Sequence, residues 1–202
     1  MKLYYSPGAC SLSVHITLRE AGLPFDLVLA STKTHKLQDG TDYYVINPKG
    51  YVPLLELDNG ERLTEVAAIQ QYVADQVPEK NLAPAWGTMA RYRLQEWLTF
   101  TGTELHKAYS PLFSPGSSDE IKNAAKSRIN GRLAYVNDQL AGKSYLLGEA
   151  FSVADTYLYV VANWSRHVGV DLTPFPHLTA FIARMSARPA VQAALKAEGL
   201  LK

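Results

Sequence analysis

The sequence predicts an α/β domain followed by an all-helical one, and three observations carry that reading. Residues 1–77 alternate short apolar runs with amphipathic stretches, the pattern of helices laid on a sheet. The stretch 77–84, Val-Pro-Glu-Lys-Asn-Leu-Ala-Pro, loses that periodicity and carries two prolines, as a connection between domains does. Beyond it the apolar repeats have helical spacing. The expected boundaries are therefore 1–77 for the first domain, 78–86 for the linker and 87–202 for the second.

Taken in order, residues 2–5 (Lys-Leu-Tyr-Tyr) read as a strand ended by Ser6-Pro7-Gly8. Residues 10–21 read as a helix closed by Gly22, with Leu12 and Ile16 in one register and Val14, Leu18 and Ala21 in the adjacent one. Residues 25–29 alternate as a second strand. A short element at 43–46 precedes the turn Asn47-Pro48-Lys49-Gly50. Residues 52–57 then lead into a strand that Asp58-Asn59-Gly60 joins to 61–64. Helical spacing resumes over 65–76, giving the order β-α-β-α-β-β-α. In the second half, one long helix over 88–113 places Leu94, Trp97, Leu98, Thr101 and Leu105 on one face. Ser117 or Ser118 is placed to cap the next helix, whose stripe of Ile129, Leu133, Val136 and Leu140 ends at Gly142. Ser152-Val153-Ala154-Asp155 has the form of a capping box ahead of the apolar run 157–161. Two shorter helices, 176–187 and 190–198, are divided by Arg188-Pro189.

Composition removes several function classes. The 202 residues suffice to bury roughly 70% of the unfolded surface. Twenty basic against 19 acidic residues, with no long run of like charge, argue against a nucleic-acid partner. No stretch approaches membrane-spanning length, and the opening MKLYYSPGACSLSVH lacks the apolar run of a signal peptide. The expectation is a cytoplasmic protein with no membrane partner. One cysteine excludes an intramolecular disulfide, and no spacing among the five histidines, that cysteine and the acids suggests a metal site.

The same cysteine is the main chemical clue. Cys10 sits where the first strand hands over to the first helix, and free N–H groups with the positive end of the helix dipole favour thiolate there. In Cys10-Ser11-Leu12-Ser13 a hydroxyl stands where a C-x-x-C motif has its resolving thiol, so a mixed disulfide at Cys10 must be released by a thiol from outside the chain. Val52-Pro53, at a strand entrance, is a candidate cis peptide that presents the Val52 N–H and C=O to an extended peptide. Glu65, beside a helix N-terminus, suits an ammonium group, with neighbouring N–H groups for a carboxylate. His106, on the long helix one turn from Gly102 and Thr103, suits a donor to a thiolate or leaving group. His15, His167 and His177 show no partner pattern and are read as structural.

These residues together resemble the bacterial beta-class glutathione transferases along nearly the whole chain. The carriers are Tyr-Ser-Pro-Gly-Ala-Cys-Ser-Leu (5–12), His-Ile-Thr-Leu-Arg-Glu (15–20), Asn-Pro-Lys-Gly-Tyr-Val-Pro (47–53), Leu-Thr-Glu (63–65), Thr-Glu-Leu-His-Lys (103–107) and Phe-Ser-Val-Ala-Asp (151–155). The resemblance implies a thioredoxin-like N-terminal domain, an all-helical C-terminal domain and a homodimer with glutathione as co-substrate, acting on hydrophobic electrophiles in detoxification. It gives catalysis to Cys10 and His106, both near the glutathione sulfur. Val52 matches the residue that pairs with the cysteinyl backbone, and Glu65 with Val66 the pair that takes the γ-glutamyl end. His35 falls at the glycyl carboxylate, and Thr99, Thr103, Glu104 and Leu105 fall in the remaining glutathione-site wall. Three positions depart from the family: 35 is His where Lys is usual, 66 is Val where Ser or Gly is common, and 99 is Thr in place of Asn. Tyr109, Phe113 and Trp164 suggest a flat hydrophobic co-substrate. Two other readings stay open on the residues: a non-catalytic interaction or stress protein sharing the fold, and a dedicated glutathione-dependent dehalogenase or reductase.

Overall fold

Residues 1–201 are described by the structure, a computed structural model. In chain order the elements are β1 (Lys2–Tyr5), α1 (Ser11–Ala21), β2 (Asp26–Leu29), β3 (Leu54–Glu56), β4 (Arg62–Thr64), α2 (Val66–Gln76), α3 (Met89–Phe100), α4 (Lys107–Phe113), α5 (Asp119–Gln139), α6 (Val153–Asn163), α7 (Ser165–Val168), α8 (Pro176–Ser186) and α9 (Pro189–Ala197). They form two compact units: Met1–Leu82 together with the chain from Arg188 onward, and Ala83–Ala187.

The first unit is built on a sheet of order β2-β1-β3-β4, with β1 parallel to β2 and antiparallel pairing elsewhere. Parallel β1 and β2 need a crossover, which α1 supplies. Period-two alternation divides the buried residues. Leu3 and Leu55 face one way, while Tyr4 and Leu54 face the other, joining Ala30, Tyr43 and Val52 in a small second core. Helix α1 packs between α2 and α9, so it is buried from Ser11 to Leu18, and only Arg19 and Glu20 near its end are partly exposed. Its hydroxyls donate to carbonyls three to five residues back: Ser11 Oγ to Ser6 O, Ser13 Oγ to Cys10 O and Thr17 Oγ1 to Ser13 O. The helix expected between β2 and β3 is a single 3-10 turn, Tyr43–Val45, capped by Asp42. Pro48 disfavours helical backbone at Asn47, so the turn cannot lengthen.

The return of α9 to the first unit follows from local chemistry. Pro189 starts a new helix, Val191 and Ala194 bury its inner face, and Arg188 makes a two-pronged bond to Glu20 at 2.6 and 2.9 Å. The compact units thus divide the chain at 82 and again at 187, where the composition shift marked one linker at 78–86.

In the second unit α6 is buried on all sides from Val153 to Ala162, Asp155 and Thr156 included. Its capping box forms with Asp155, which is fully buried. One carboxylate oxygen accepts from the Ser152 N–H at 2.8 Å and Oγ at 2.9 Å, and the other from the Leu146 N–H at 2.8 Å. Ser118 caps α5, and Ile129, Leu133, Val136 and Leu140 are buried along it. The single helix expected over 88–113 is instead three pieces: α3, a π-helical stretch Thr101–His106, and α4 with Pro111 inside it. The apolar face survives the interruption, since Leu94, Trp97, Leu98, Thr101 and Leu105 are all buried. No helix among the described residues is long and apolar enough to cross a membrane.

Candidate functional site

Sheet register brings three of the singled-out residues of the first unit to one edge. Tyr4 pairs with Leu54, and Leu54 with Thr64. The end of β1, the start of β3 and the end of β4 therefore share one end of the sheet, delivering Cys10 shortly after β1, Val52 just before β3 and Glu65 directly after β4. Cys10 occupies the N-cap of α1 and is half-buried. Its Sγ donates to the Val52 carbonyl at 3.3 Å. The Val52-Pro53 peptide is cis, as its place at the strand entrance suggested, but the Val52 carbonyl is already engaged by the thiol.

Residues 49–52 link the set. Lys49 Nζ donates to Glu65 at 2.9 Å and to Thr64 Oγ1 at 3.0 Å, His35 Nδ1 lies 3.1 Å from Gly50 O, and Val52 O meets Cys10. Two anchors hold this turn from below. Asn47 Nδ2 and the Tyr43 hydroxyl both donate to Tyr51 O, at 2.7 and 3.0 Å. Burial pushes the Tyr43 phenol up to about 12, so it remains a donor throughout the physiological range. Gly50 has φ +68°, and a Cβ there would lie 2.5 Å from the Tyr44 ring and 3.1 Å from His35 Nδ1. Gly50→Ala is therefore expected to displace the Tyr44 ring, to crowd His35 and to destabilise the chain by about 1–3 kcal/mol in denaturant unfolding. An unchanged midpoint would show that the turn absorbs the methyl.

Glu65 has φ 70° and ψ 121°, a sparsely populated conformation costing about 1–3 kcal/mol. It stands at the N-cap of α2 with its carboxylate largely exposed, so the Lys49 pair adds little to stability. Val66, the first residue of α2, is buried, which leaves its backbone as the polar group at that position.

The remaining expected residues lie in the second unit, on or beside the π-helical stretch. His106 is half-buried, with Nδ1 2.7 Å from the Tyr157 hydroxyl and its ring edge-on to Trp164 at 4.8 Å. Thr99 and Thr103 are exposed and bonded to each other, Thr103 Oγ1 to Thr99 O at 2.9 Å. Leu105 is fully buried, its side chain spent on packing. Glu104 Oε2 accepts from Arg132 Nε and Nη2 and from Arg128 Nη2, at 3.0, 2.7 and 3.1 Å. Those guanidinium groups, Arg132 first, hold its carboxyl below the ordinary glutamate range. A lowered folded value gives stability above the ordinary value of 4.5 and loses it as pH falls through the folded one. Glu104→Gln is expected to flatten the acid arm of melting temperature against pH in that window, by a small amount because the pair is exposed. An identical acid arm would count against it. Tyr109 is fully buried, its hydroxyl 2.6 Å from Ser165 Oγ, and burial pushes it up to about 12. With Trp164 it belongs to the core, while Phe113 is half exposed at the edge of the same aromatic group.

Sequence reasoning passes over Lys49, although it stands in the Asn-Pro-Lys-Gly turn, and Tyr157, which opens the apolar run 157–161. It also passed over the partners of His15, described below. Among the described residues, no group of three or more His, Cys, Asp or Glu side chains gathers to hold a metal ion.

Comparison with known proteins gives a consistent picture. The family described as glutathione S-transferase, N-terminal domain, matches residues 8–76, and glutathione S-transferase, C-terminal domain, matches residues 100–189. The chain is 46% identical over 200 residues to glutathione S-transferase GstA of Escherichia coli O157:H7, covering 99% of this chain and 100% of that one. It is similar to a sphingomonad glutathione S-transferase solved in complex with glutathione, at 51% identity and TM-score 0.96 with both chains fully covered. It is also similar to the beta-class glutathione S-transferase of Sphingomonas chungbukensis, at 51% identity and TM-score 0.97 with both chains fully covered.

Proposed function

The chain belongs to the glutathione S-transferase family, and from that premise we propose that it holds glutathione on its sheet-bearing unit and directs the sulfur at hydrophobic electrophiles. The observation that carries this reading is the reach of residues 49–52 to Glu65, His35 and Cys10. These are the side chains to which the family resemblance gives the γ-glutamyl, glycyl and sulfur-bearing parts of the tripeptide. The ammonium of glutathione replaces Lys49 at Glu65, an exchange of exposed charges that costs little. The amides opening α2 take the γ-glutamyl carboxylate. The cysteinyl N–H takes the Val52 carbonyl from Cys10, releasing the Cys10 thiol to donate to the glutathione thiolate.

Two reactions then share the site. In conjugation, the glutathione thiol gives its proton to solvent and the thiolate attacks an electrophilic carbon, expelling the leaving group with its electron pair. In exchange, the Cys10 thiolate attacks a glutathione mixed disulfide, forming Cys10–S–S–glutathione and releasing the other thiolate. A second glutathione thiolate then restores Cys10 and leaves as glutathione disulfide. For His106 the support is that its own unit fixes the ring on two sides, against Tyr157 and Trp164, as a donor to sulfur requires. Thr99, Thr103, Glu104 and Leu105 keep the wall role that the resemblance gives them, Leu105 through its backbone. A homodimer acting in the cytoplasm completes the reading.

Calorimetric titration with reduced glutathione checks the binding step. Saturable binding is expected, weakened about tenfold in Glu65→Gln by loss of one charge-assisted contact. Equal affinity in the two proteins would remove Glu65 from the site.

A further inference from the structure

One buried network in the first unit has no part in the reactions above. Glu198 lies just beyond α9 with a fully buried side chain, and both its oxygens are taken. Oε1 accepts from His15 Nδ1 at 2.8 Å, and Oε2 accepts from the Gly8 N–H at 2.9 Å. On the other side of the imidazole, Arg19 Nε donates to His15 Nε2 at 2.8 Å. An Nε2 that accepts leaves the ring proton on Nδ1, so the order of donation runs Arg19 to His15 to Glu198. His15, fully buried and edge-on to Phe25 at 5.5 Å, has no freedom to turn away.

Such a carboxylate is a costly way to dock a helix, because an apolar residue of similar volume serves packing as well or better. Helix α9 already has Val191 and Ala194 inside and the Arg188–Glu20 pair at its start. What Glu198 adds is a fixed acceptor for a loop amide. Gly8, at φ 71°, sits in the segment 6–9 that leads from β1 to Cys10. Two further ties of that segment are local: Ser6 N to Ser11 Oγ at 3.2 Å and Ala9 N to Ser6 O at 3.1 Å. The tie from Glu198 reaches that segment from the far end of the sequence, 190 residues away. We infer that Glu198 is a positioning residue for Cys10, holding segment 6–9 through Gly8 so that the thiol is set for disulfide exchange. The inference rests on the reading of Cys10 as the exchanging thiol.

Glu198→Gln tests it in a side chain of unchanged size. A carboxamide offers one acceptor and turns an NH2 toward the other donor, so one of the two bonds is lost. The measurement is the rate at which Cys10 attacks glutathione disulfide, forming the mixed disulfide and releasing one glutathione thiolate, followed by mass spectrometry of the full chain. The expected result is a fall of about tenfold, the order of loss from a slightly misplaced nucleophile. Glu20→Gln, which loosens α9 at its other anchor, is expected to lower the melting temperature but to leave the rate within about twofold. A normal rate in Glu198→Gln, or equal slowing by both variants, overturns the inference. No adduct from the unmodified chain overturns the reading of Cys10 and the inference with it. Hydrogen exchange on the unmodified chain needs no variant. The Gly8 amide should be protected together with those of α9, and prompt exchange would refute the tie.

Discussion

Replacing Cys10 by alanine is expected to abolish exchange with glutathione mixed disulfides, a loss of about a thousandfold or more, because no second thiol exists in the chain to substitute for it. Conjugation should fall less. Its nucleophile is the glutathione sulfur, and the groups that hold the tripeptide, at Val52, Glu65 and the start of α2, are untouched. Alanine also removes the donor now resting on the Val52 carbonyl, so the incoming cysteinyl N–H meets an acceptor without a competitor. Side-by-side assay of both reactions, in protein with unchanged melting temperature, separates the roles. Equal loss of the two activities would show that Cys10 serves conjugation as much as exchange.

The second large effect is on stability. Asp155→Ala strips the acceptor from the Ser152 N–H, the Ser152 hydroxyl and the Leu146 N–H at once, all buried. Each orphaned donor costs about 1–3 kcal/mol, and partial relaxation brings the expected total to about 3–4 kcal/mol. That corresponds to a melting temperature lower by about 10 °C in a chain of this size. Asp155→Asn keeps the shape but turns an NH2 toward one of the donors, so it should lose roughly half as much. A loss under about 1 kcal/mol for alanine would mean that α6 holds its start by packing alone.

How much of this could be read beforehand depends on the range of the interactions. Local chemistry was legible: Gly22 as the stop of α1, a cap of α5 at Ser117 or Ser118, of which Ser118 serves, the Ser152–Asp155 box, and the hairpin at Asp58-Asn59-Gly60 all form where short-range patterns place them. Cys10 at a helix N-terminus was legible for the same reason. The elements that were misread fail for stated physical causes. An apolar stripe keeps the same residues inward through a π-helical stretch, so spacing alone cannot show the break at Thr101–His106. Helix α1 reads as amphipathic because its serines and threonine are polar by type, yet they donate to nearby backbone carbonyls and are buried. The His15–Glu198 pair spans nearly the full length of the chain, and no local pattern announces that α9 returns to α1. Residues 49–52 lie between these extremes. Their turn was legible, while their contacts with Glu65, His35 and Cys10 were a product of the fold.

The most direct measurement is the glutathione-dependent turnover of a chromogenic chloronitroaromatic electrophile, with the thioether product identified by mass. Thioether formation that saturates in glutathione, in protein that is also retained on immobilised glutathione, is the predicted result. Product formation no faster than the uncatalysed reaction, from folded protein that glutathione does not retain, would contradict it and leave the fold without the transferase.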